Sequence, residues 1–66
     1  MVALRWEGKN VVITPLSGRW RAECDDRVVE STYLEYAIAE AIDVDEEHAV
    51  PTVTRLIADY LAANDR

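Results

Sequence analysis

The sequence predicts an α+β domain in ββββαα order: a four-stranded antiparallel meander covered on one face by two C-terminal helices. Three observations carry the prediction. Apolar and polar residues alternate in Val2–Trp6 and Arg19–Cys24, the period of a sheet with one buried face. Short turn-forming segments separate the alternating runs. From residue 32 the apolar spacing changes to that of helices with one buried stripe.

Each element has its own grounds. In Val2–Trp6, Val2, Leu4 and Trp6 face one way and Ala3, Arg5 and Glu7 the other. Glu7-Gly8-Lys9-Asn10 reads as a turn in which Gly8 and Asn10 tolerate positive φ. Val11–Thr14 is the second strand, β-branched and ended by Pro15, and Leu16-Ser17-Gly18 turns the chain. Arg19–Cys24 alternates most clearly, with Trp20, Ala22 and Cys24 on one face and Arg19, Arg21 and Glu23 on the other. Asp25-Asp26 is a tight turn without glycine, and Arg27–Glu30 is the fourth strand. Thr32 and Glu35 have the spacing of a capping box and open a helix from Tyr33 to Ile42, whose stripe is Leu34, Ala37, Ile38, Ala41 and Ile42. Tyr33 and Tyr36 flank that stripe, a position where a ring packs and its hydroxyl stays wet.

Four acids follow in Asp43-Val44-Asp45-Glu46-Glu47. They are unfavourable at a helix C-terminus and favourable at an N-terminus, so the chain should break near 43–45. A short helical turn capped by Asp45 fits the next residues. The second helix is placed at Pro51–Ala63, with proline in the first turn and a stripe of Val53, Leu56, Ile57, Tyr60 and Leu61. Asn64 closes it and Asp65-Arg66 forms a frayed tail. The expected core is Leu4, Trp6, Val11, Ile13, Trp20, Ala22, Cys24, Val28 or Val29, Leu34, Ile38, Ala41, Ile42, Val53, Leu56, Ile57, Tyr60 and Leu61.

At 66 residues the chain reads as one domain, sheet in 1–31 and helices in 32–64. A core this small stabilises a fold only marginally, which favours self-association, most simply as a homodimer. The single cysteine, Cys24, permits no intrachain disulfide, and Arg5 interrupts any apolar leader. Both point to the cytoplasm. No apolar run reaches membrane-spanning length.

The charge is unevenly placed. Residues 1–30 balance five basic side chains (Arg5, Lys9, Arg19, Arg21, Arg27) against five acidic ones (Glu7, Glu23, Asp25, Asp26, Glu30). Residues 31–66 set two basic, Arg55 and Arg66, against eight acidic, and so hold the whole net charge of −6. Such a field repels nucleic acid and anionic membranes and attracts basic protein partners. It also keeps a small domain in solution.

No residue set has the signature of a catalytic, cofactor or nucleotide site, and the expectation is a protein without enzymatic activity or cofactor. Cys24 and His48 are the sole thiol–imidazole combination. Cys24 belongs to an apolar strand face, and the following aspartates raise a thiol pKa instead of lowering it. Asp43, Asp45, Glu46, Glu47 and His48 lack the twelve-residue calcium-loop spacing and its glycine, so no metal site is assigned. Arg5, Arg19 and Arg21 could make a basic strand face for weak nucleic-acid binding. The tryptophans that would stack bases alternate with them and belong to the opposite face. The remaining candidate is a protein-docking surface formed by Tyr33, Tyr36, Glu40, Asp43, Asp45, Glu46 and Glu47, with tyrosines as anchors and acids for a basic partner.

Residues 18–42, GRWRAECDDRVVESTYLEYAIAEAI, resemble small HicB-type antitoxin domains, which run strand, strand and a helix opening with Thr-Leu-Glu-Glu-Ala; Thr32, Leu34 and Glu35 are the nearest counterparts here. The family's Asp-Leu-Pro-Gly signature is absent. The resemblance implies an acidic inhibitor that blocks a basic, nucleic-acid-binding partner. It stands beside the principal expectation of a self-associating protein-interaction module.

Overall fold

The structure, a computed structural model, describes residues 1–64 apart from the side chains of Glu46 and His48. Strands β1 (Val2–Trp6), β2 (Lys9–Leu16), β3 (Arg19–Cys24) and β4 (Arg27–Ser31) precede helices α1 (Leu34–Ile42) and α2 (Glu46–Asn64). The sheet is an antiparallel meander in the order β1-β2-β3-β4. This is the expected ββββαα fold.

Two-residue loops join the strands, and they set the register. Trp6 pairs with Lys9 across Glu7-Gly8, so Lys9 and Asn10 belong to β2 and not to the turn. Positive φ falls on Glu7 (47°) and Gly8 (78°), not on Asn10, because a primed hairpin turn needs it at its two central residues. Asp25 (φ 55°) takes the same region in the β3–β4 turn, which a short polar side chain tolerates. Pro15 does not end β2; it pairs with Trp20 of β3. It is accommodated because β1 starts at Val2, opposite Ile13, so β2 has no neighbour there on its β1 side.

One face of the sheet is buried. Leu4, Val11, Ile13, Ala22 and Cys24 meet Ala37, Ile38, Ala41 and Ile42 of α1 and Val53, Leu56 and Tyr60 of α2. Trp6 and Trp20 pack against this core while only partly buried, and the Trp20 and Tyr60 rings form an edge-to-face pair with centroids 5.7 Å apart. Val29, not Val28, faces inward. Leu61 departs from expectation at 57 % exposed. Of the residues on its stripe, Leu56 and Tyr60 point most directly at the sheet, and Leu61 falls on the rim. Among the described residues no buried side-chain nitrogen or oxygen lacks a hydrogen-bond partner.

The helix boundaries differ from the sequence reading at both starts. β4 stays paired as far as Ser31, opposite Trp20. That leaves Thr32 and Tyr33 to make the corner. Tyr33, extended at φ −110° and ψ 127°, is therefore the N-cap of α1, and no side chain caps it. Thr32 and Glu35 form no capping box; Ser31 Oγ instead accepts from the Tyr33 N–H at 3.2 Å. α2 begins at Glu46 and carries Pro51 inside it. The acids at 45–47 favour a helix start there strongly enough for the helix to run through the proline. The break at 43–45 is as expected. Asp43 ends α1 in the left-handed region, and its N–H donates to the Ala39 carbonyl at 3.1 Å. No helix of the described chain is long and apolar enough to cross a membrane.

Candidate protein-docking groove

α1 packs on β3 and β4, and α2 packs on β1 and alongside α1. This arrangement divides the expected docking residues into two groups. Tyr33 and Tyr36 lie at the start of α1, 57 % and 59 % exposed, with ring centroids 5.6 Å apart in an edge-to-face pair. Glu40 follows Tyr36 by one helical turn, about 6 Å, and Asp43 closes the helix about 15 Å from Tyr33 at 1.5 Å per helical residue. Asp45 and Glu47 follow at the start of α2, both exposed. The Glu46 side chain falls outside the described residues. The expected residues thus run from an aromatic end to an acidic end along α1 and into the start of α2.

Between them runs a feature that the sequence reading missed. An open, almost wholly apolar groove of about 320 Å³ lies where α1 and α2 adjoin, lined by Glu35, Tyr36, Ala39, Ala49, Val50, Val53, Thr54 and Ile57. Val50 is 72 % exposed and lies just ahead of the second helix expected from the sequence, at Pro51–Ala63. Leu61 lies one helical turn beyond Ile57 and continues the same side of α2. A legible signal was present: Val50, Ile57 and Leu61 recur at helical spacing beside the core residues Val53, Leu56 and Tyr60. Together they make an apolar arc wider than one contact with the sheet requires.

Acids also gather at the end of the molecule where the β1–β2 and β3–β4 turns meet the α1–α2 link. Asp25, Asp26 and Asp43 line one shallow depression with Lys9, Cys24 and Arg27. Glu7, Asp43 and Asp45 line another beside Trp6. Two cations temper this end. Lys9 lies 3.7 Å from Asp25 and 5.8 Å from the Trp6 ring centroid. Arg27 donates to the Glu40 carbonyl at 3.0 Å and approaches Asp43 at 3.6 Å. Arg27 thereby supplies the positive charge that the last turn of α1 lacks. No group of three or more metal-ligating side chains occurs among the described residues.

Cys24 is buried beneath this end. Burial, and then the neighbouring Asp25, push its thiol above the ordinary value, and Lys9 only partly opposes them. The His48 side chain lies outside the described residues, so the thiol–imidazole combination has no geometry to report. On the outer sheet face, alternation places Arg5, Arg19 and Arg21 opposite the tryptophans, as expected. Arg5 donates to Asn10 at 3.0 Å, and Arg21 donates to one carboxylate oxygen of Glu30 from two nitrogens, at 3.1 and 3.3 Å. Arg5 and Arg21 are thus each paired locally, while Arg19 has no such partner among the described residues.

No protein-family model matches the chain, and no curated protein or solved structure matches it. The resemblance of residues 18–42 to HicB-type domains accordingly rests on those residues alone.

Proposed function

We propose that this chain is a small cytoplasmic interaction module, without catalytic activity of its own, that docks a protein partner on its helical layer. The observation that carries the reading is the apolar groove between α1 and α2, with the exposed Tyr33–Tyr36 pair beside it. Large apolar side chains left contiguous on a surface mark interaction sites, and tyrosines are frequent anchors there. The acids around it select a basic partner and speed the encounter.

The test is recovery of partners from a nuclease-treated lysate of the native host by the tagged chain and two variants. One is Tyr33→Ser with Tyr36→Ser; the other is Glu40→Lys with Glu47→Lys. Unchanged circular dichroism must first show that both fold. Stoichiometric recovery of one protein by the unaltered chain, and its loss with either variant, is the expected result. Recovery of the tagged chain alone would refute docking. An inhibitor of a nucleic-acid-binding protein is the second reading, favoured by the gathering of Glu7, Asp25, Asp26, Asp43 and Asp45 at one end. It requires that the recovered protein lose its hold on nucleic acid when this chain is added.

A further inference from the structure

We infer that the α1–α2 groove receives a cationic amphipathic helix, contributed by the partner; this rests on the proposal that the helical layer docks a protein. The groove has the form such a helix needs. From Ala49 to Ile57 its α2 wall runs about 12 Å, just over two helical turns. Short side chains, Ala39, Ala49 and Thr54, lie among the larger Tyr36, Val50 and Ile57. The space they leave suits bulky apolar anchors spaced i, i+4, i+7 on an incoming helix, the usual mode of helix-in-groove recognition.

Charge names the occupant. Glu35 lines the groove. Glu40 and Asp43 lie one turn beyond Tyr36 and Ala39 on α1, and Glu47 lies just under one turn before Val50 on α2. Asp43 shares its charge with Arg27; Glu35, Glu40 and Glu47 have no salt-bridge partner among the described residues. The basic residue of α2, Arg55, falls on the helix side turned away from the groove. Lysines or arginines flanking the apolar anchors of a partner helix would meet this acidic rim. A second copy of this chain would instead bring the same acids against themselves. A symmetric pairing through the groove is therefore opposed, and the occupant is a different, basic chain.

The probe is a synthetic helical peptide of about 16 residues, long enough to span the groove, with leucines at i, i+4, i+7 and i+11 and lysines elsewhere. Its controls are the same peptide with glutamate for lysine, and one of identical composition with the leucines moved off helical spacing. Binding is read by calorimetry and by amide chemical-shift mapping on the full chain. The leucine–lysine helix should shift Tyr36, Ala39, Val50, Val53 and Ile57 and leave β1–β4 unmoved. The rearranged peptide should bind at least about ten-fold more weakly, a difference of about 1.4 kcal/mol, and the glutamate peptide should not bind. Val50→Ser, at an exposed groove residue and so without risk to folding, should cost a similar factor. Equal binding of the rearranged peptide, shifts confined to the sheet or to the Asp25–Asp45 end, or a concentration-dependent dimer abolished by Val50→Asp would each overturn the inference. If the helix peptide fails while Tyr33→Ser with Tyr36→Ser still loses a lysate partner, the docking reading stands and the helical occupant alone is refuted. If the lysate yields no partner, the docking reading is refuted and the inference falls with it, even where the peptide occupies the groove.

Discussion

Glu7 occupies the left-handed region at φ 47° beside Gly8, in a turn that requires positive φ at both positions. A long acidic side chain is a poor occupant of that region, whereas asparagine enters it readily. Glu7→Asn should raise stability by about 0.5–1 kcal/mol, seen as a higher urea midpoint with unchanged slope. Cys24 makes a second residue-scale prediction. Its folded-state pKa is raised, so the folded chain holds the thiol proton more tightly than the unfolded chain. The stability that the neutral thiol contributes is complete below the ordinary thiol pKa. It falls as pH rises from that value through the folded one. Denaturation midpoints should drop across this alkaline window, and Cys24→Ala should remove that part of the drop. Alkylation by iodoacetamide near neutral pH should be slow until denaturant is added.

At the scale of elements, α2 tolerates a proline that its interior does not favour. Pro51 is the sixth residue of the helix, where an N–H would otherwise donate to the Glu47 carbonyl. Pro51→Ala should stabilise the chain by about 1–2 kcal/mol, less than the full interior penalty because alanine also loosens the unfolded state. A fall in melting temperature would show instead that the helix begins beyond residue 50. For α1, the C-terminal charge arrives from another element, through Arg27 of β4. Arg27→Ala should cost about 0.5–1 kcal/mol at low salt and less at high salt, since the interaction is exposed. A loss insensitive to salt would mean that Arg27 acts through packing of its stem.

For the whole molecule, one layer of helix on one layer of sheet leaves a single core, and its members are unequal. Leu56 is 1 % exposed and Leu61 57 %. Leu56→Ala should cost about 2–5 kcal/mol, a large share of the stability available to a domain of this size. Leu61→Ala should stay within about 0.5 kcal/mol. Equal losses in a thermal melt would place Leu61 in the core after all.

Most of the architecture could be read before the structure because it depends on local rules. The alternation of Val2–Trp6 and Arg19–Cys24, the short turns at Glu7-Gly8 and Asp25-Asp26, and the change of period after residue 32 each reflect sterics or burial within a few neighbouring residues. They suffice for element type, order and the inward face. The acids at 43–47 likewise marked the break between the helices, although not that α2 runs unbroken from Glu46. What local rules could not supply depended on competing elements. Continued pairing of Ser31 with Trp20 displaced the α1 cap from Thr32 to Tyr33. The missing β1 neighbour let β2 keep Pro15. The favourable start at Glu46 outweighed Pro51. The groove belongs to this second kind, because its walls come from two helices, and a stripe on either one reads as core until their mutual packing leaves part of it open. Apolar spacing specifies which side of each helix is buried. How far apart two such helices settle is a balance of contacts among residues distant in the chain, and that balance leaves Val50 exposed along the groove wall.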